Sequence, residues 1–314
     1  MNAAQRPVVG VLTRLEAGEL ERLRTIATVV QAASVAEIPE PRRAACRAVI
    51  LRSETDLRAP QLALLPALTD VVRPGSGCDN IAVDLLAERA IRLHRSAAVS
   101  AEAVAELAVA GLTVLCRQMA RGYRLLLEGT YAKHRLMGEA TARQRVTVWG
   151  AGPVGTAVFD RLTAAGAVAA YVRHPSVPAG APTVPQDEAL AGSDVHVLAL
   201  PLREGTRGKV GAAWLERAAA RRPYLVNVGR LELMDLDAVA GALRADGLRG
   251  CYLDPVNPDQ AGRVRAFLDA AWDANVFVTQ HQGAQRSDVR ATLDAWAVDR
   301  IREFVESEAA AGGG

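Results

Sequence analysis

Short apolar runs alternate with helix-like segments along the N-terminal third of the chain. Val8–Leu12, Ala48–Leu51 and Val71–Val72 are apolar runs, whereas Ala17–Ile26 and Pro60–Leu68 have apolar residues at helical spacing. Strands that alternate with helices are typical of a parallel sheet with crossover helices. The pattern therefore predicts an α/β unit at the start of the chain.

A second α/β series follows a long apolar helix. The spacing of apolar residues predicts one helix over Ser100–Leu127, then a polar segment, Tyr131–Arg145, and at the end of the chain a long helix, Ser287–Glu306. Between these segments the predicted strands are Val146–Trp149, Val168–Val172, Val195–Ala199, Tyr224–Val228, Gly250–Leu253 and Val276–Thr279. The predicted fold class is α/β with two such units.

Three glycines follow the first of these strands at a spacing that is typical of dinucleotide-binding turns. They fit GxGxxG, and the residues after them have the periodicity of a helix. The first glycine permits the sharp turn, the second lets a pyrophosphate approach the backbone, and the third lets helix and strand pack closely. The helix N-terminus adds free N–H groups and the positive end of a dipole. The predicted contacts are Gly150, Gly152, Pro153, Val154 and Gly155.

The end of the next strand favours one dinucleotide over the other. An NAD site normally has Asp or Glu here to bind the ribose hydroxyls, but Val172 takes that position and Arg173 and His174 follow it. A carboxylate would repel a 2′-phosphate, whereas a guanidinium can bind it with two hydrogen bonds. We therefore expect NADP(H) to be favoured over NAD(H); the alternative is a solvated surface arginine.

Composition excludes several classes of protein. Half of the 314 residues are apolar and 23% are charged, which is ordinary for a soluble globular protein. A net charge of +2 predicts no general affinity for nucleic acid or membrane. The four cysteines form no CxxC pair, so we expect free thiols and no metal site. The start of the chain has no apolar leader, so we expect a cytoplasmic protein.

Seven loose motifs in one order and spacing resemble those of a known family. They are Ala48–Ser53, Val72–Ile81, Val104-Ala105-Glu106, Leu200-Pro201-Leu202 with Thr206-Arg207-Gly208, Val226–Arg230, Leu253-Asp254 with Pro258-Asp259, and Thr279-Gln280-His281. This series resembles the D-isomer-specific 2-hydroxyacid dehydrogenases, the group that contains phosphoglycerate dehydrogenase and hydroxypyruvate reductase. The resemblance covers nearly the whole chain.

The resemblance implies two Rossmann-like domains with the active site in the cleft between them. A flavodoxin-like substrate domain would comprise residues 1–95 and 284–314, and an NAD(P)-binding domain, residues 96–283, would be inserted into it. The family is typically dimeric through the nucleotide domain, so we expect a homodimer in which 100–127 contributes apolar surface. Further cofactor contacts implied by the resemblance are Leu200, Pro201, Thr206, Val228 and Asp254.

The resemblance also implies the catalytic groups, which are Arg230, Asp259 and His281. Reduction of a 2-keto acid to a D-2-hydroxy acid needs a cation for the substrate carboxylate and carbonyl, and a proton donor for the developing alkoxide. A carboxylate bonded to the histidine would raise the pKa of its imidazole, which suits an acid in reduction. The expected substrate contacts are Arg52, Ser53, Gly75, Ser76 and Gly77, the last three through their backbone N–H groups.

Other interpretations of these residues stay open. Arg230 and Asp254 could form a structural ion pair, His281 could be a loop histidine, and Gly75–Gly77 could be only a turn. The chain also departs from the family at the proposed site, with Asp259 where Glu is usual and Leu231-Glu232 where Gly-Gly is usual. These departures favour a specialised, biosynthetic NAD(P)H-dependent reductase, and the alternative is a dinucleotide-sensing protein of the corepressor type.

Overall fold

The computed structural model describes residues 6–312 and divides them into two compact units. Unit 1 comprises residues 6–100 and 286–312, and unit 2 comprises Ala101–Gln285. The chain thus leaves unit 1 once and returns to it, so unit 2 is an insertion. The resemblance implied domain boundaries at residues 95/96 and 283/284, and the structure has them at 100/101 and 285/286.

Unit 1 is built on a five-stranded parallel sheet in the order β2-β1-β3-β4-β5, which is the flavodoxin-like order. Its strands are β1 (Val8–Val11), β2 (Thr28–Gln31), β3 (Cys46–Ile50), β4 (Asp70–Arg73) and β5 (Arg92–Arg95). Its helices are α1 (Ala17–Ile26), α2 (Glu40–Ala44), α3 (Ala59–Ala63), α4 (Val83–Glu88) and the terminal α12 (Ser287–Gly312). Helices α1 and α12 cover one face of the sheet, where Leu23, Ile301 and Phe304 are buried.

Unit 2 is built on a seven-stranded parallel sheet in the order β12-β11-β10-β9-β6-β7-β8. Its strands are β6 (Arg145–Trp149), β7 (Val168–Val172), β8 (Thr183–Val184), β9 (Val195–Leu198), β10 (Tyr224–Asn227), β11 (Gly250–Leu253) and β12 (Val276–Val278). Its helices are α5 (Ala101–Cys116), α6 (Met119–Leu127), α7 (Pro153–Ala164), α8 (Gln186–Gly192), α9 (Ala212–Ala218), α10 (Leu236–Arg244) and α11 (Ala261–Ala270). Both predicted α/β units are therefore confirmed.

Helix α5 is a core element of unit 2. It packs along α7 and across β10 and β11, and its buried residues join the apolar side chains of β6 and β10. The approach is close at Gly111, where an added Cβ would lie 2.3 Å from the ring of Tyr252. A larger side chain at that position would separate the helix from the sheet.

The single helix predicted over Ser100–Leu127 is wrong, because the structure has two helices in that range. Helix α5 ends at Cys116 and α6 begins at Met119, after a bend of 60°. Gln118 lies between them with a φ of +51°, in the left-handed region, where a helix cannot continue. The apolar periodicity runs across this break, which is why the sequence pattern did not indicate it.

No single helix within residues 6–312 is long and apolar enough to cross a membrane. Helices α5 and α6 meet those criteria only as a pair, across their bend. The four cysteines are unpaired, and the part of the chain that the structure describes holds no group of three or more His, Cys, Asp or Glu side chains that could bind a metal ion.

A titratable histidine is buried in unit 2. His196, on β9, is fully buried, and its Nδ1 accepts a hydrogen bond of 3.2 Å from Nε1 of Trp149. Its ring also makes an edge contact with Trp214. Burial lowers the pKa of His196 from 6.5 to about 3, since the charged imidazolium would lose its hydration.

This histidine predicts a loss of stability in weak acid. Below pH 6.5 the unfolded chain binds a proton at His196 that the folded chain does not bind until about pH 3. The free energy of unfolding should therefore fall as the pH drops through this window, by up to about 1.4 kcal/mol per pH unit. Urea unfolding at pH 7, 6 and 5 measures this slope above the range in which carboxylates titrate.

The matched variants are His196→Asn, which keeps an acceptor for Trp149, and His134→Asn, which changes an exposed histidine. We expect His196→Asn to flatten the slope between pH 7 and 5 and His134→Asn to leave it as in the parent. Equal slopes in all three proteins would show that His196 does not cause the acid sensitivity.

Candidate active site

The predicted cofactor and catalytic residues of unit 2 lie along one edge of its sheet. All seven strands are parallel, so the loops that follow them emerge at the same, carboxyl edge. The chain order reverses between β6 and β9, and the glycine turn follows β6 at this switch point. Arg173 and His174 follow β7, Leu200 and Pro201 follow β9, Val228 and Arg230 follow β10, Asp254 follows β11, and His281 follows β12.

The glycine turn has the geometry that a dinucleotide needs. Gly150 has a φ of +110°, and an added Cβ would lie 2.6 Å from the carbonyl oxygen of Ala199. At Gly155 an added Cβ would meet the carbonyl oxygen of Gly150 at 1.9 Å, so only glycine lets α7 pack this closely. Around Gly152 there is open space. The turn thus combines two sterically required glycines with one position that an incoming pyrophosphate can approach.

The N-terminus of α7 supplies the donors for such a pyrophosphate. Gly152 is the N-cap and Pro153 is the first helical residue. The first intrahelical hydrogen bond runs from the N–H of Thr156 to the carbonyl of Gly152, so the amides of Val154 and Gly155 precede it. Proline at this position removes one donor but preorganises the first turn. These residues fit a dinucleotide.

The loop after β9 is fixed by side-chain hydrogen bonds, whereas the residues directly after β7 are exposed. Arg173 and His174 are exposed, and Nδ1 of His174 lies 2.8 Å from Oγ of Ser176. Oγ1 of Thr206 donates to the carbonyl of Pro201 at 2.7 Å, and it accepts a 2.8 Å bond from the N–H of Arg203. Thr206 therefore fixes the backbone of the loop that was predicted to contact the cofactor, whereas Arg173 extends from a strand end.

Arg230 sits in a tightly tied loop after β10. The buried side chain of Asn227 accepts from the N–H of Gly229 at 3.0 Å and donates to the carbonyl of Arg230 at 2.8 Å. An added Cβ at Gly229 would lie 2.7 Å from the carbonyl oxygen of Leu200. These contacts restrain the backbone at Arg230, and Arg230 itself is half-buried.

The carboxylate of Asp254 holds the loop that carries His281. Its oxygens accept three hydrogen bonds, from Oγ1 of Thr279 at 2.6 Å, from the N–H of Gln282 at 2.7 Å and from the N–H of Gly283 at 3.1 Å. The N–H of His281 donates to the carbonyl of Asp254 at 2.7 Å. His281 takes a φ of +54°, a left-handed conformation that this set of bonds imposes. The predicted contact of Asp254 with a nicotinamide stays a prediction.

The structure places Asn257 against the imidazole of His281. Nδ1 of His281 lies 3.0 Å from Oδ1 of Asn257, which is half-buried. The predicted partner, Asp259, lies two residues further on in a short helical turn, and its side chain is exposed. An amide oxygen can orient the ring by accepting from Nδ1–H, but it carries no charge that would stabilise the imidazolium.

In unit 1 the predicted carboxylate-binding loop lies over an arginine. Gly75 has a φ of +151°, and an added Cβ would meet Nη1 of Arg73 at 2.4 Å. That nitrogen donates to the carbonyl of Pro74 at 3.1 Å, and the side chain of Arg73 is buried. The guanidinium of Arg73 therefore lies against the backbone at Gly75, and its positive charge favours an anion at this loop.

Arg52 of unit 1 is committed to an ion pair. Its Nη2 lies 2.5 Å from Oδ1 of Asp294 on α12, and both side chains are almost fully buried. Burial together with the nearby Arg290 lowers the pKa of Arg52. Its neighbour Ser53 is exposed. The ion pair ties the β3 loop to α12, and a direct contact of Arg52 with substrate stays a prediction.

The sequence of unit 2 matches a known domain. Residues 109–283, more than half of the chain, match the family model described as "D-isomer specific 2-hydroxyacid dehydrogenase, NAD binding domain". The chain belongs to the D-isomer-specific 2-hydroxyacid dehydrogenase family. The resemblance indicated by the sequence motifs is thereby confirmed.

Individual relatives agree with this membership. D-3-phosphoglycerate dehydrogenase of Mycobacterium tuberculosis is 30% identical over 280 residues, which cover 85% of this chain and 52% of the relative. Hydroxypyruvate reductase of Thermotoga maritima is 29% identical over 262 residues, 81% of this chain and 83% of the relative. The chain thus spans about half the length of the phosphoglycerate dehydrogenases that it matches.

A solved structure shows the same fold. The NADPH-dependent glyoxylate/hydroxypyruvate reductase of Sinorhizobium meliloti, in complex with NADP and malonate, superposes with a TM-score of 0.82 at 24% identity. The match covers 96% of this chain and 94% of that one. Both α/β units of the present chain therefore have a fold that is known from a solved structure.

Several polar residues shape the site through hydrogen bonds that the sequence did not indicate. They are Arg73 in unit 1, and Asn227, Glu232, Asn257, Gln260 and Thr279 in unit 2. A local signal existed for two of them. Asn257-Pro258-Asp259-Gln260 has the N-cap, first-turn proline and third-position glutamine of a helix start. That pattern indicates a turn, but it does not indicate that Asn257 faces His281.

Proposed function

We propose that the protein is an NAD(P)H-dependent reductase that interconverts a 2-keto acid and a D-2-hydroxy acid. The observation that carries the proposal is the placement of Arg230 and His281 on loops after β10 and β12, at the edge that holds the glycine turn. A bound nicotinamide would supply the hydride. Arg230 would bind the substrate carboxylate and carbonyl, and His281 would donate the proton to the developing alkoxide.

Asn257 is the partner of His281 in this proposal. With Nδ1–H donating to the amide oxygen, Nε2 is the ring atom that would carry the transferred proton. An amide at this position stabilises the charged ring less than a carboxylate would. This is a departure that fits a specialised, biosynthetic reductase.

In unit 1, we propose the backbone N–H groups of Gly75, Ser76 and Gly77 as a carboxylate-binding loop, and the guanidinium of Arg73 against Gly75 supports a negative charge there. The identity of the keto acid is left to experiment. A dinucleotide sensor without catalysis is not favoured, because such a role does not need Arg230 and His281 on rigid loops beside the glycine turn.

The first test is a scan of 2-keto acids with NADPH and NADH, followed by absorbance of the reduced cofactor. On the best substrate, His281→Ala should lower kcat roughly 10²- to 10⁴-fold, the usual worth of a general acid.

Asn257→Asp should move the falling limb of the reductive pH profile to higher pH, because a carboxylate raises the pKa of the adjacent imidazole. The pH dependence of kcat measures both changes.

Asp259→Asn is the matched control, since it changes one carboxylate two residues away. We expect its falling limb to stay where it is in the parent. A limb that moves with Asp259→Asn and not with Asn257→Asp would restore Asp259 as the partner. No reduction of any 2-keto acid, or an unchanged kcat in His281→Ala, would overturn the proposed function.

We further propose that NADP(H) is preferred to NAD(H). Arg173 is exposed at the end of β7, and no acid occupies the position of Val172. The Sinorhizobium reductase was solved with NADP, whereas the family model names NAD, so the preference rests on Arg173. Arg173→Ala should weaken NADPH binding about 10- to 100-fold, the worth of a charge-assisted contact, and leave NADH binding nearly unchanged.

Titration of each variant with both cofactors, followed by their fluorescence, measures this effect. Arg145→Ala is the control, because it removes an exposed cation from the opposite edge of the same sheet. Equal losses of NADPH and NADH binding in Arg173→Ala, or a parent protein that prefers NADH, would contradict the proposal.

We also propose a homodimer through unit 2, with the exposed apolar face of α6 as its surface. Met119, Tyr123, Leu126 and Leu127 are each more than half exposed and recur at helical spacing, so they form one outward apolar face. The apolar residues of α5 are used in the core instead. A self-complementary patch of this kind suits a symmetric dimer.

Sedimentation velocity at micromolar concentration should show a dimer for the parent and a monomer for Tyr123→Glu/Leu127→Glu. Val168→Glu changes an exposed apolar residue outside this face, and it should remain dimeric. A monomeric parent at that concentration would count against the proposal.

A further inference from the structure

Three polar side chains connect the loop of Arg230 with the loop that faces His281. Oε1 of Glu232 accepts a 2.8 Å hydrogen bond from Nε2 of Gln260. Oε1 of Gln260 accepts a 3.0 Å bond from the backbone N–H of Asn257. Asn257 then bonds to His281. The result is a continuous series of hydrogen bonds from the turn after β10 to the imidazole.

Gln260 can take only one orientation in this series. It is 4% exposed, so its amide has to find its partners within the protein. A flipped amide would set its carbonyl oxygen against the carboxylate of Glu232 and its NH₂ against the N–H of Asn257. Both contacts would be repulsive, which gives the series a fixed direction.

The other end of the series is rigid. Glu232 lies in the short helical turn Leu231–Leu233, whose two leucines are fully buried. The carbonyl of Glu232 accepts from the N–H of Gly208 at 2.8 Å. Arg230 is the N-cap of the same turn, so Glu232 and Arg230 belong to one short helical element. Gln260 connects this element by hydrogen bonds to the backbone of Asn257.

We propose that Glu232 and Gln260 are positioning residues that hold Asn257, and through it the ring of His281, at a set place relative to Arg230. The inference rests on the proposed function, since it assigns the purpose of the series to proton donation at His281. It also accounts for the charged Glu232 directly after the loop of Arg230: its carboxylate is the acceptor that orients Gln260.

An exchange of the two polar groups tests the proposal. Gln260→Glu keeps the acceptor for Asn257 but sets a second carboxylate against Glu232, so the turn should shift. A misplacement of about 1 Å can cost up to about 10²-fold in rate, and we expect kcat to fall about 10- to 100-fold on this scale. KM for the keto acid should change little, because His281 acts in the transition state. Cofactor binding should be as in the parent.

Glu232→Gln/Gln260→Glu restores a donor opposite the new carboxylate. The amide introduced at position 232 would donate to the carboxylate introduced at position 260. We therefore expect kcat to recover to within about threefold of the parent, a coupling expected of residues in direct contact. Glu232→Gln alone keeps an acceptor for Gln260 and should cost little. Gln186→Glu, a change of the same kind away from this series in the same unit, is the charge control.

A second measurement does not need activity. The chain has five histidines, so the ring resonance of His281 in a histidine-labelled sample is the one absent from His281→Ala. It should shift in Gln260→Glu and return in the double variant. If Gln260→Glu has the parent's kcat and His281 resonance, or the double variant recovers neither, the positioning role is wrong. If the resonance responds as expected but no 2-keto acid is reduced, the proposed function fails and the hydrogen-bond series stands.

Discussion

The buried carboxylate of Asp254 is the constraint on which the candidate site depends. Its side chain is 3% exposed and its charge is compensated by three donors of the loop after β12, Thr279, Gln282 and Gly283. A buried carboxylate needs hydrogen-bond donors to replace its lost hydration, so the loop follows the carboxylate. His281 takes a left-handed backbone conformation as a result. The direction of its ring is thus decided on a neighbouring strand.

Close packing adds to this constraint. An added Cβ at Gly283 would lie 2.8 Å from Cγ2 of Val104 on α5 and 3.0 Å from Oδ2 of Asp254. Thr279, which donates to Asp254, is itself within 2.8 Å of the hydroxyl of Tyr252, whose ring lies against Gly111 of α5. Helix α5, β11 and the His281 loop are therefore fitted to one another. The site is rigid because its loop shares contacts with the core.

Glu232, one of the departures from the family, is connected to His281 by hydrogen bonds. Glu232, Asn257 and His281 belong to one hydrogen-bonded series with Gln260. The neutral amide of Asn257 restrains the ring of His281 less than a carboxylate would, since a neutral hydrogen bond is weaker than a charged one. The buried Gln260 and the carboxylate of Glu232 add a restraint on the position of Asn257.

Local patterns accounted for much of the fold and for the cofactor turn. Elements such as α1 and the strands at the centre of each sheet follow from apolar periodicity, which is a property of neighbouring residues. Edge strands such as β2 and β5, with polar or half-exposed residues, carry little of that signal and were not predicted. Two of the three glycines at residues 150–155 also have local causes, since Gly150 has a positive φ and an added Cβ at Gly155 would meet the carbonyl oxygen of Gly150.

The sequence by itself determined two α/β units, the position of the dinucleotide turn, and the family whose arginine and histidine the chain keeps. Only the tertiary structure decided that Asn257 and not Asp259 faces His281, that Arg52 pairs with Asp294, and that the apolar helix breaks at Gln118. The physical reason is the separation along the sequence of the residues that interact. Periodicity and glycine sterics act over a few residues, whereas the bond between Asn257 and His281 joins positions 24 residues apart. Such a pair forms only where two strands end side by side and a buried carboxylate turns the second loop toward the first.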